Sequence, residues 1–146
     1  MPLTKMPQMT SVMTPFPYSV ELENSLNDAR RLMNDHGIHH LPVKRDGELV
    51  GVLSYRDLEL RLDRGDEPSG GRPLRVTDAH VQQAHVFDLH TRVDEVAEHM
   101  ADTRSDAVIV TREGRLAGIF TATDACRWLA EILSERFPPD DEDQIA

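Results

Sequence analysis

Two seven-residue stretches hold the groups on which any chemistry of this chain would rest. GVLSYRD runs from Gly51 to Asp57, and GIFTATD from Gly118 to Asp124. Each carries strand-forming residues into a hydroxyl, Ser54 or Thr121, and places a carboxylate, Asp57 or Asp124, three residues later. If a helix opens after the hydroxyl, this spacing has two readings. The first is structural. Ser/Thr-x-x-acid is a capping box, in which the hydroxyl accepts the third helical N–H and the acid reaches back. An acid in the first turn also suits the helix dipole. The second reading is a ligand site. The first N–H groups of a helix, with its dipole, favour a phosphate. A hydroxyl at the same point can bind a phosphate oxygen, and a carboxylate one turn in can accept from two vicinal ribose hydroxyls. The phrase therefore holds groups complementary to a nucleoside phosphate, and the cap does not exclude the ligand.

The surroundings of the two phrases differ. The first has Arg56 inside it, His39 and His40 on the strand before it, and Pro42 two residues further on. These supply positive charge or hydrogen bonds for an anion. The second has Ala122 and Thr123 inside it, Asp106 and Ala107 on the strand, and Ile109 in the place of the proline. Anion binding is expected at Ser54 and Asp57 before Thr121 and Asp124. His36, His39 and His40 are chemically suited to zinc or nickel, but no recognised ligand spacing joins them to further donors, so no metal site is assigned. No nucleophile is paired with a base, and neither a G-x-x-x-x-G-K loop nor a metalloprotease pattern occurs. The chain is not expected to be an enzyme. Cys126 is the only cysteine, so no intrachain disulfide can form; it is expected to pack as a small side chain on its helix.

The elements that must position these groups are written twice. At a constant offset of 67, set by Gly118 against Gly51, the copies align without a gap from Tyr18/His85 to Asp57/Asp124. Leu22/Leu89, Met33/Met100, Asp35/Asp102, Val43/Val110, Arg45/Arg112, Gly47/Gly114 and Leu49/Leu116 are identical pairs. Register held through the loops marks a duplicated unit. In each copy, apolar residues recur at helical spacing: Leu26, Ala29 and Met33, then Val93, Val96, Ala97 and Met100. An apolar strand follows (IHHLPV, DAVIV), then Asp46-Gly47 or Glu113-Gly114 as a tight turn. A second strand (ELVGVLS, RLAGIFT) and a closing helix complete the unit. A short strand before the first helix, near Tyr18–Val20 and Val86–Asp88, makes the order β-α-β-β-α.

One such unit is too small to cover both faces of its sheet. The fold class expected is α+β, two repeats packed sheet to sheet with helices outside. The expected boundaries are a flexible N-terminus over 1–10, repeats over 11–64 and 76–137, a Gly- and Pro-rich linker over 65–75, and a disordered acidic tail over 138–146. The last helix, with Trp128, Leu129, Ile132, Leu133 and Phe137, has a broad apolar face. With 16 basic against 26 acidic residues and a net charge of −10, the chain is no general nucleic-acid binder. No apolar run reaches the length of a membrane span, and a cytoplasmic location is expected.

On the combined strength of MTPFPYSV, HHLPVKRDGELVGVLSYRD and DAVIVTREGRLAGIFTATD, the chain resembles a tandem pair of CBS domains, the regulatory repeat named after cystathionine β-synthase. The resemblance runs from about Ser11 to Phe137. It implies two repeats related by a pseudo-two-fold axis, with clefts that hold an adenine nucleotide (AMP, ADP, ATP) or S-adenosylmethionine as a regulatory ligand, and no obligatory cofactor. It implies phosphate contacts for Ser54 and Thr121 and ribose contacts for Asp57 and Asp124. The base would lie against Tyr18, Ser19, Val20, Leu41 and Pro42 in the first repeat, and against Val86, Val108 and Ile109 in the second. His40 and Arg56 would add to the first site. It further implies a homodimer through the repeat helices, with Trp128 a candidate contact, and a protein effector that reads the ligand. A ligand-free dimeric scaffold and a metal sensor built on His36–His40 are the alternatives.

Overall fold

The computed structural model describes residues 4–65 and 70–140. Parts of the expected N-terminal, linker and tail segments, namely 1–3, 66–69 and 141–146, lie outside the described residues. In chain order the elements are α1 (Met9–Val12), β1 (Thr14–Pro15), β2 (Val20–Glu21), α2 (Leu26–His36), β3 (His40–Arg45), β4 (Glu48–Ser54), α3 (Tyr55–Asp63), a 3-10 turn (Val76–Asp78), β5 (Val86–Asp88), α4 (Val93–Thr103), β6 (Ala107–Arg112), β7 (Arg115–Thr121) and α5 (Ala122–Arg136). The β-α-β-β-α order is present twice, in an α+β chain with two sheets.

The chain forms two compact units, and one of them is discontinuous. Phe16–His85 makes one unit; the chain up to Pro15 joins everything from Val86 onward to make the other. Each repeat is therefore completed by the segment that precedes the other repeat in sequence. The two arms dock alike. Met9 N–H donates to the Thr91 carbonyl and Thr10 N–H to that of Leu89, as Val76 N–H donates to Asn24 and Thr77 N–H to Leu22. Val93 N–H reaches back to Pro7 and Leu26 N–H to Leu74. The offset of 67 recurs in the arms at Pro7/Leu74, Met9/Val76 and Thr10/Thr77, and becomes 68 where Thr14 and Gln82 cross the equivalent strand residues Ile119 and Val52.

Within the Phe16–His85 unit, β2-β3-β4 form a sheet, parallel between β2 and β3 and antiparallel between β3 and β4. The parallel pair needs a crossover, and α2 supplies it. Ser25 caps α2, and Gly37, at φ 62°, ends it in the left-handed region, where a side chain costs most. Leu26, Ala29 and Met33 of α2 pack with Val20, Leu41, Val43, Leu53, Leu58 and the arm's Val76 as the core. In the other unit, β1-β7-β6-β5 form the sheet and α4 is the crossover. Its core joins Met9 and Val12 of the arm to Leu89, Val96, Met100, Val108, Val110 and Phe120. Ala97 is exposed, against the helical-face expectation; Val96 and Met100 suffice to anchor α4.

Both hairpins turn alike. Asp46 and Gly47 have φ 51° and 82°, Glu113 and Gly114 have 52° and 79°, the doubly left-handed turn that matches strand twist. Both then carry a bulge in the same place, at Val43/Lys44 and Val110/Thr111. Gly51 and Gly118 are needed for close approach. A Cβ on Gly51 would lie 2.5 Å from the Gln82 carbonyl oxygen and 2.6 Å from Val81 Cγ1. On Gly118 it would meet the Met13 sulfur and lie 3.0 Å from the Thr14 carbonyl oxygen. In each phrase the glycine marks the place where the arm crosses the strand.

Candidate functional site

The two strand-to-helix turns are built on one plan. In each, the first helical N–H is committed to the carbonyl just ahead of the hairpin's first strand: Tyr55 to His39, before β3, at 2.7 Å, and Ala122 to Asp106, before β6, at 2.8 Å. The third is taken by the capping hydroxyl: Asp57 N–H donates to Ser54 Oγ at 3.1 Å and Asp124 N–H to Thr121 Oγ1 at 3.2 Å. Of the first three N–H groups, those of Arg56 and Thr123 are the ones left to face an anion.

The carboxylates then diverge. Asp124 closes the expected box: its Oδ2 accepts the Thr121 N–H at 3.0 Å, and Arg127 Nη1 approaches its Oδ1 at 3.4 Å. Asp57 corrects the same expectation for the first phrase. Its Oδ2 accepts from the Ser54 hydroxyl at 3.0 Å and from Gln82 Nε2 at 2.7 Å. The chemical readiness of the two turns is therefore different. Ser54, which is buried, has spent its only proton on Asp57 and must give up that bond to donate to a phosphate. The box uses Thr121 Oγ1 only as an acceptor, which leaves its proton for a ligand.

The other expected site residues fall on adjoining elements. Tyr18 is half exposed and stacks on His36, ring centroids 4.0 Å apart and planes within 18°. Ser19 is half-buried, and Val20 is a core residue on β2, paired with Val43. Leu41 and Val108 point into the cores of their own units, so their backbones rather than their side chains would face a ligand. Pro42 and Ile109 lie on the opposite faces of their strands and are also buried. His40 is half-buried, Arg56 is exposed, and Val86 stands exposed on β5. His39 meets the Tyr55 ring edge-on, centroids 5.6 Å apart. Hydrogen bonding to Glu59, with partial burial, holds the Tyr55 phenol above its ordinary value. Gln82 was missed from the sequence because it stands outside the matched phrases. The signal available was indirect: two strand glycines at equivalent positions each call for a backbone lying against them.

Among the described residues no three His, Cys, Asp or Glu side chains are placed to hold a metal ion, so geometry lends the His36–His40 metal reading no support. Cys126 is exposed, correcting the expectation of a packed side chain, because α5 turns its Ala125 and Trp128 side to the core instead.

The CBS domain model matches residues 9–63 and again 76–131. The chain belongs to the CBS domain family. Both matches begin at the arms, Met9 and Val76, where the structure places the extended repeat. A CBS domain-containing protein of Dictyostelium discoideum is 29% identical over 131 residues, 84% of this chain and 90% of that one. The inosine-5'-monophosphate dehydrogenase of Thermoplasma acidophilum is 30% identical over 122 residues, but the chain spans only 22% of that enzyme's length. Among solved structures, CBSX2 in complex with AMP is 26% identical, with a TM-score of 0.71, covering 86% of this chain and 97% of that one. The CBS pair accounts for the twofold writing of the sequence.

Proposed function

We propose that this CBS pair is a regulatory module that binds an adenine nucleotide, or S-adenosylmethionine, at its strand-to-helix turns and passes the binding to a protein partner as a conformational change. The observation that carries the reading is the paired hydroxyl and carboxylate at each helix start, with the Arg56 or Thr123 N–H beside it, in a family one of whose members, CBSX2, is known in complex with AMP. Ser54 and Thr121 would meet phosphate, Asp57 and Asp124 the ribose, and Tyr18, with Ser19 and Pro42, the base. The module would act as a homodimer through its repeat helices, in the cytoplasm.

A ligand that binds only the folded state raises its stability in proportion to the logarithm of its concentration over Kd. A thermal-shift panel of AMP, ADP, ATP and S-adenosylmethionine at millimolar concentration should show stabilisation by at least one. Asp57→Ala combined with Ser54→Ala should weaken that ligand at least tenfold by calorimetry. No shift from any of the four would leave the ligand-free scaffold as the better reading.

A further inference from the structure

We propose that Gln82 is a positioning residue for Asp57, drawing its carboxylate out of the helix cap and presenting it to a sugar. The inference rests on the nucleotide reading of the Ser54–Asp57 turn and adds to it a residue outside the phrase.

Gln82 is fixed by its backbone before its side chain does anything. Its N–H donates to the Val52 carbonyl and its carbonyl accepts from Val52 N–H, both at 2.9 Å. Gly51 beneath it has no Cβ because the Gln82 carbonyl lies there. From this anchored position the amide donates to Asp57 Oδ2 at 2.7 Å. That oxygen also accepts from Ser54 Oγ, so its two lone-pair directions are filled and Oδ1 is turned away from both donors. Asp57 Oδ1, which accepts from neither Ser54 nor Gln82, is the oxygen presented to a sugar hydroxyl.

The second unit provides an internal control. Thr14 pairs with Ile119 where Gln82 pairs with Val52, and Ile119 is the repeat equivalent of Val52. Thr14 is too short to donate across to the helix. There Asp124 has fallen back on the Thr121 N–H and closed the box. The same aspartate, in the same turn, takes one arrangement with a glutamine on the arm and the other without it.

The test is calorimetric binding of AMP and of 2'-deoxy-AMP to the full chain as wild type, Gln82→Met, Gln82→Lys and Asp57→Asn. Gln82→Met keeps the length and the backbone pairing at an exposed position but removes the donor. AMP affinity should fall about tenfold, the size expected of a hydrogen bond to a charged group, with little change for 2'-deoxy-AMP, so discrimination between the sugars collapses. Gln82→Lys restores a donor and should restore discrimination; its added charge acts on both nucleotides equally. If Asp57→Asn loses the discrimination while Gln82→Met keeps it, Gln82 has no such role and the nucleotide reading stands. If Asp57→Asn changes nothing, or the wild type binds neither nucleotide, the reading of this turn falls and the proposal with it. Should Gln82→Met fold poorly, failure of Gln82→Lys to discriminate would overturn the proposal on its own.

Discussion

Asp57 and Asp124 stand at the third position of their helices and make different bonds, because a side chain's neighbours are set by whatever crosses the strand before it. A second carboxylate shows how far such neighbours matter. Asp78, at the end of the 3-10 turn, accepts two hydrogen bonds from the Arg72 guanidinium at 2.9 Å and one from the Arg75 N–H at 2.8 Å. Arg72 foremost, opposed by burial and aided by the Arg75 N–H, holds Asp78 below its ordinary 3.8. A depressed carboxylate stabilises the fold at every pH above its unfolded value, and that contribution is lost as pH falls through the folded value. Asp78→Asn should therefore lower the stability of the Phe16–His85 unit at neutral pH. It should also flatten the fall in stability below about pH 4, seen as a shallower acid limb in urea titrations followed by circular dichroism. An acid limb identical to wild type would show that the Arg72 pair adds nothing.

The elements explain why the arms matter more than their length suggests. Met9 is fully buried in a core whose other buried members, Val12 apart, come from Leu89 onward. Met9→Ala should cost about 2–5 kcal/mol, as truncation of a buried methionine does. Trp128, the only tryptophan, packs on the same core, so its fluorescence transition in urea should move to lower concentration. An unmoved transition would mean that the arm is dispensable. The main helices and hairpins were legible in the sequence because each runs long enough to leave a signal: the helical spacing of Leu26, Ala29 and Met33 on α2, the apolar runs of β3 and β6 ahead of a two-residue turn. The arms were not. A four-residue helix and a two-residue strand have no period to read, and their partners lie at sequence distances that no local pattern records. For the same reason the phrases were legible as capped helix starts, while the diversion of Asp57 by Gln82 was not.

At the scale of the whole molecule, α5 is the outlying element. It has no fully buried residue, and Leu129, Leu133 and Phe137 are 56%, 46% and 68% exposed along one stripe. An exposed apolar row of that kind is the face that the proposed dimer would cover. Leu133→Glu should convert the proposed dimer to a monomer in analytical ultracentrifugation without lowering the melting temperature of the monomeric fold. A wild-type chain that sediments as a monomer at tens of micromolar would remove the dimer from the proposal.

The exchange of arms also sets a timetable for biosynthesis. The segment Pro7–Pro15 is made before Phe16–His85, yet the strand it must pair with, β7, is made after it. While the ribosome works through the whole intervening unit, Met9, Val12 and Met13 wait as an apolar stretch with nowhere to dock. Leu74–Gln82, by contrast, emerges directly onto an already synthesised partner. Ageing of the nascent chain is thus uneven: one repeat can mature while the other is still missing half its seam, and a chaperone or protease patrolling the exit would meet that early segment first.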